Sequence, residues 1–160
     1  MNSSDSSQNN SNWIIFGIGS HHGEDQLGWQ ALEDLSKLGL PTLPPNTPVL
    51  PLRRPTDLFD YALANSTYPS QNHVTGNTPA SIKTKVNWIL IDACVNSAGS
   101  KKPNPTPTIH RWLWPNIPSD TSINSYCSSH ALGILEILNL LETLNILPEE
   151  VWIYGIEPAN

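Results

Sequence analysis

The chain has few basic residues. It carries 8 Lys and Arg against 14 Asp and Glu among 160 residues, which gives a formal net charge of −6. A protein that binds nucleic acid or an anionic membrane over a broad surface needs a basic face, because the phosphates of these partners are negatively charged. The composition therefore argues against nucleic acid and acidic lipid surfaces as partners.

Cysteines and long apolar runs are also scarce. Two cysteines are too few for the disulfide framework of a small secreted domain. No apolar run is long enough for a membrane-spanning helix, and residues 1–12 lack the apolar core of a secretion signal. We therefore expect residues 1–12 to form a disordered leader and residues 13–160 to form a single domain. We also expect a cytoplasmic protein without membrane insertion.

Apolar segments alternate with amphipathic segments along the chain. Strands are expected at 13–18, 49–52, 86–93, 108–114 and 151–156, and helices near 24–38, 57–63 and 130–145. The prolines around the second strand, and the alternating pattern of the fourth, favour edge positions for both. This order predicts a three-layer α/β fold, with a twisted, mainly parallel five-stranded sheet and helices on both faces.

Polar residues follow strands or open helices at three positions in this prediction. The stretch Trp13 to Gly28 reads as strand, glycine turn and helix, which places Glu24 and Asp25 in the first helical turn. Asp92 ends a buried strand, and His130 opens the last helix. Ligands of open α/β sheets bind at the carboxyl ends of the strands, where these residues could meet. Two carboxylates and an imidazole suit a borderline divalent transition metal.

Other interpretations of the same residues remain open. The acids could simply complement a helix dipole or cap a turn, and the histidine could be solvated. Cys94 and Cys127 lie close in sequence to Asp92 and His130, so the four could form a closed zinc site. Either cysteine beside His130 could also be a nucleophile with its base, and both could be ordinary thiols.

A nucleotide-binding module is a weaker alternative. Gly17 and Gly19 follow a strand, as in a phosphate-binding turn, but the third glycine is absent at the expected spacing. Acids rather than amides would face the phosphate, which is electrostatically unfavourable.

Four short motifs resemble the hydrogenase maturation proteases: GIGSHHGEDQLG, LIDA, SSHALG and WIYGIE, in the family's order and spacing. Members of this family are nickel-dependent endopeptidases. The resemblance, which extends from about Trp13 to Glu157, implies that the protein removes the C-terminal extension of a nickel-loaded [NiFe] hydrogenase large-subunit precursor during maturation. That precursor would be its partner.

The resemblance also implies a set of metal ligands. It assigns Asp25, Asp92 and His130 to nickel, which the substrate would supply as its own bound metal. Glu24 competes with Asp25 for the first position, and His21 and His22 are further candidate ligands. The family has no assigned Ser or Cys nucleophile, so no catalytic residue is expected beyond the metal ligands.

The sequence also departs from the family pattern. The turn is one residue short, and an Arg-Arg-Pro-Thr-Asp segment replaces the usual glycine-rich loop after the second strand. Arg53, Arg54 and Thr56 are therefore expected to line the substrate cleft. We also expect the family's C-terminal closing helix to be absent, which predicts a partly bare sheet face that could bind a partner or a second copy. A catalytically degenerate relative, which recognises a nickel-bearing subunit as a chaperone without cutting it, would have the same motifs.

Overall fold

The computed structural model describes residues 12–19, 26–38, 47–66, 86–93, 106–118 and 133–159. These residues form five strands and three helices in the predicted order. The strands are β1 (Asn12–Ile18), β2 (Val49–Leu52), β3 (Val86–Ala93), β4 (Thr108–Leu113) and β5 (Val151–Glu157). The helices are α1 (Leu27–Leu38), α2 (Pro55–Asn65) and α3 (Ile134–Thr143).

The strands form one sheet in the order β2-β1-β3-β5-β4. Strands β2, β1, β3 and β5 are parallel, and β4 pairs antiparallel with β5 at one edge. Strand β2 forms the other edge, where Pro51, which has no N–H to donate, can be accommodated. The predicted five-stranded, mainly parallel sheet is therefore confirmed, together with its two edge strands.

Helices cover both faces of the sheet. Helices α2 and α3 pack on one face over a large core that includes Phe16, Leu90, Ile153 and Leu58. Helix α1 packs on the other face over a smaller cluster of Ile15, Leu32 and Ile91, which come from β1, α1 and β3. Successive residues of a strand point to opposite faces, so the continuous apolar runs of β1 and β3 fill both cores.

The buried stripe of α3 differs from the prediction. Leucine spacing predicts that Leu132, Leu135, Leu138, Leu141 and Leu144 lie near one face of the helix. The structure buries Ile134, Ile137, Leu138 and Leu141, while Leu144 is 38% exposed and Leu140 40%, and Leu132 lies outside the described residues. Leucines spaced three residues apart drift around a helix of about 3.6 residues per turn, so they do not stay on the one side that packs inward.

Among the described residues, no helix packs extensively on the half of the α1 face formed by β4 and β5, although Tyr154 and Ile156 of β5 pack against the smaller cluster. Ile109 is 67% exposed there, and Trp152, Tyr154 and Ile156 are partly buried. The guanidinium of Arg111 lies 4.6 Å from the ring centroid of Trp152, a cation–π contact. None of the helices in the described part of the chain is long and apolar enough to cross a membrane.

Candidate active site

The four parallel strands all finish on the same side of the sheet. We call this row of strand ends the carboxyl edge, as distinct from the edge strands β2 and β4. Asp92 is the penultimate residue of β3, the middle strand, and lies opposite Gly155 of β5. Trp88 and Leu90, on the same side of β3, belong to the core under α2 and α3. Asp92 therefore faces the side of the sheet that carries α2 and α3. Its side chain is half-buried and makes contacts within the protein.

Two glycines bring the first turn of α1 against this edge. A Cβ built on Gly28 would lie 2.0 Å from the Ile18 oxygen and 3.0 Å from the Ile91 oxygen. A Cβ on Gly17 would lie 2.5 Å from the Gly28 oxygen. Only residues without side chains permit this approach. The start of α1 therefore packs on the carboxyl ends of β1 and β3, next to Asp92.

Hydrogen bonds fix the end of β2 to the same region. The carbonyl oxygen of Leu52 accepts from the Gly19 N–H at 3.0 Å and from the Trp29 indole Nε1 at 2.8 Å. Trp29 lies in the first turn of α1, so one carbonyl connects the helix, the turn after β1 and the end of β2. These two hydrogen bonds thus fix the positions of α1, the turn after β1 and the end of β2 relative to one another.

Helix α1 begins later than predicted. Glu24 and Asp25 were expected in its first turn, but the helix begins at Leu27. The helix start coincides with the close approach of Gly28 to the strands, a tertiary contact that periodicity does not reveal. Both acids, like His21 and His22, lie outside the described residues. In sequence, Asp25 is three residues before Gly28.

The start of α3 also lies at the carboxyl edge. Residues 144–150 connect the end of α3 to the first residue of β5. That residue lies where the parallel strands begin, on the side of the sheet opposite the carboxyl edge. The N-terminal end of α3, capped by the buried Gly133, must therefore point toward the carboxyl edge. His130 precedes Gly133 by three residues and lies outside the described part of the chain, as do Cys94 and Cys127.

Of the three predicted metal ligands, the structure thus describes Asp92 alone. Within the residues that it describes, no three His, Cys, Asp or Glu side chains are grouped closely enough to hold a metal ion. The assignments of Asp25 and His130, and the alternatives that involve cysteine, therefore stay predictions.

The segment after β2 forms a compact basic turn. Arg54 is the N-cap of α2, and Pro55 is its first residue. The Asp57 carboxylate accepts from the N–H groups of Arg53 and Arg54 at 2.9 and 3.1 Å, and pairs with Arg54 Nη2 at 3.3 Å. The helix was expected near residues 57–63, but it begins two residues earlier because proline is favourable at the first helical position.

This turn lies at the carboxyl edge, where the predicted substrate cleft would be. Arg53 and Arg54 are exposed and Thr56 is half-buried. Strand β2 is two positions from β3, so these residues follow a strand about 10 Å from the one that carries Asp92. The structure therefore places two exposed cations at the same edge as Asp92.

A histidine that sequence reasoning gave no role lies on the other side of Asp92. His110 of β4 is opposite Gly155, and its Nε2 is 3.3 Å from Glu157 Oε2. Its ring stacks on Trp112, with centroids 5.5 Å apart and planes 9° apart. The alternation of β4 predicted that His110 and Trp112 share one face of the strand, opposite Ile109 and Arg111. Its position relative to Asp92 depends on the register of three strands.

Comparison with known proteins supports the predicted fold. Neither a protein-family model nor a curated protein matches this chain. Among solved structures, the hydrogenase maturating endopeptidase HybD from E. coli matches with a TM-score of 0.50 and 18% identity, over 92% of this chain and 74% of that one. The [NiFe] hydrogenase maturation protease HycI from Thermococcus kodakarensis KOD1 matches with a TM-score of 0.50 and 15% identity, over 94% and 76%.

The chain therefore has a three-layer α/β fold of the mainly parallel, open-sheet class. Within that class, its fold is that of the hydrogenase maturation proteases, as the four motifs predicted. At these identities the likeness concerns the fold, and the chemistry depends on the residues at the carboxyl edge.

Proposed function

We propose that this protein is an endopeptidase that removes the C-terminal extension of a nickel-loaded [NiFe] hydrogenase large-subunit precursor. The fold and the four motifs support the proposal together, because the described residues Gly28, Asp92 and Gly133, one from each of three motifs, lie at the carboxyl edge, where this class of fold binds ligands. We place this activity in the cytoplasm, where the precursor would be matured.

The packing of Gly28 against the carbonyls of Ile18 and Ile91 is the observation that carries this proposal. It fixes the start of α1 beside the end of β3, so that Asp25 and Asp92 are each within three residues of one contact point. His130 is equally close in sequence to the N-cap of α3 at the same edge. Three segments that are distant in sequence would thus each contribute one ligand.

The three side chains fit the nickel of the substrate. Carboxylate oxygen and imidazole nitrogen are suitable ligands for a borderline divalent ion, and three of them leave positions for the substrate's own ligands. The ion, when bound, can polarise a carbonyl as a Lewis acid. We propose that Asp25, Asp92 and His130 bind the nickel of the precursor, so that only a metal-loaded precursor is accepted, and that the exposed Arg53 and Arg54, with Thr56, line the cleft.

Incubation of the purified protein with a purified precursor tests this function. We expect intact-mass measurement to show loss of one C-terminal peptide from the nickel-loaded precursor. The nickel-free precursor should keep its mass, because the proposed ligands would have no ion to recognise. A nickel-loaded precursor that binds the protein but remains uncut would instead support the recognition or chaperone alternative.

A further inference from the structure

Three neighbouring strands place two polar side chains in one row at the carboxyl edge. Asp92 of β3 and His110 of β4 both lie opposite Gly155 of β5. Leu90 and Trp112, two residues away on the same sides of their strands, contribute to the core under α2 and α3, so Asp92 and His110 face the same way. At the usual spacing of strands, their Cα atoms are about 10 Å apart. The residue between them, Gly155, has no side chain.

The imidazole of His110 is held by two contacts. Glu157, whose side chain is only 12% exposed, places Oε2 3.3 Å from His110 Nε2. In a neutral ring, the tautomer with its hydrogen on Nε2 can donate to the Glu157 carboxylate, and Nδ1 then offers a lone pair. The parallel stack on Trp112 holds the plane of the ring. The side chain of His110 is 39% exposed, so a ligand can reach it.

We propose that His110 is the general base of the cleavage reaction and that Glu157 is its positioning residue. This inference rests on the proposed function. A carboxylate that orients an imidazole, which in turn accepts a proton, is a recurrent arrangement in hydrolases. A substrate segment that crosses the row above Gly155 would have Asp92 on one side and the His110 base on the other.

The step balances without another reactant. His110 Nδ1 removes a proton from water while the water oxygen forms a bond to the carbonyl carbon of the scissile peptide. The tetrahedral intermediate then collapses and the C–N bond breaks. The imidazolium returns its proton to the leaving nitrogen, so the products are a carboxylic acid and an amine, and His110 is neutral again.

A purely structural role makes a different prediction. Cross-strand pairs such as His110 and Glu157 stabilise neighbouring strands by about 0.2–1 kcal/mol. If this were the only role of the pair, removal of His110 would lower stability slightly, and added imidazole would have no effect on the cleavage rate.

Single-turnover cleavage of the nickel-loaded precursor tests the proposal. We expect His110→Ala to lower the cleavage rate constant about 100-fold or more, with precursor binding unchanged. Added imidazole should restore part of the rate. His110→Gln, which can still donate to Glu157 but is no base, should be equally slow, and Glu157→Gln should lose on the order of 10-fold. Ile109→Ala, on the opposite face of β4, is the matched control and should cleave at the wild-type rate.

The outcomes separate this inference from the proposed function. If His110→Ala cleaves as fast as the wild type, or if imidazole does not rescue it, His110 is not the base, although the protease assignment stands. If the wild-type protein does not cleave the nickel-loaded precursor, both proposals are wrong.

Discussion

Replacing Asp92 with Asn, or His130 with Ala, is expected to abolish processing of the precursor while leaving the fold intact. Either change removes one of three proposed ligands, and the loss of a direct ligand should exceed the roughly 10- to 100-fold effect of removing an outer-shell partner. Asp92 is half-buried at a strand end rather than in the core, so asparagine fits its site. Cleavage should fall below detection, and thermal unfolding should be close to that of the wild type.

Asp60→Asn is the matched control for the loss of one acid. Asp60 is exposed on α2, and its replacement should leave both processing and stability unchanged. Wild-type processing by Asp92→Asn or His130→Ala would remove those residues from the proposed site. Comparison of Asp25→Ala with Glu24→Ala then identifies the third ligand, and a loss of processing confined to Glu24→Ala would transfer the assignment to Glu24.

Gly28→Ala is expected to destabilise the protein by about 1–3 kcal/mol, the usual range for overpacking. In an unconstrained helix the same change would be favourable by about 1 kcal/mol, because alanine is the better helix former. Here the added Cβ would lie 2.0 Å from the Ile18 oxygen, and a backbone atom cannot rotate away. Helix α1 must therefore shift away from β1 and β3. Urea unfolding would measure the loss of stability, and the precursor assay should show reduced cleavage.

Gln30→Ala is the control for this helix. Gln30 is exposed in α1, so its substitution should change stability by no more than about 0.5 kcal/mol. If Gly28→Ala were as stable as the wild type and equally active, the close contact of α1 with the carboxyl edge would be of no importance to the site.

The strands could be predicted because their signal is local. Strand β3 has the predicted bounds, Val86–Ala93, since an uninterrupted apolar run is typical of a strand buried on both faces. The buried side of α3 was not located by the spacing of its leucines. Residues three apart drift around a helix, so the buried side combines Ile134 and Ile137 with two of the leucines and leaves Leu144 exposed.

The candidate site was only partly accessible from the sequence. Asp92 was located because it ends an obvious strand. The start of α1 was misplaced because it depends on a contact between Gly28 and two strands. His110 was not predicted as a site residue. It lies near Asp92 because β3 and β4 pair with β5 so that both residues are opposite Gly155, and this pairing has no signature in the sequence. The periodicity of the sequence therefore predicted the strands and helices, whereas the contacts between them could be seen only in the structure.

Calorimetric titration with cadmium and nickel ions tests the central claim, a metal-binding site at the carboxyl edge, most directly. We expect the wild-type protein to bind one ion per chain, and we expect both Asp92→Asn and His130→Ala to lose that binding, because each removes a proposed ligand. The control Asp60→Asn should bind as the wild type does. Absence of binding by the wild type, or equal binding by Asp92→Asn and His130→Ala, would contradict the claim.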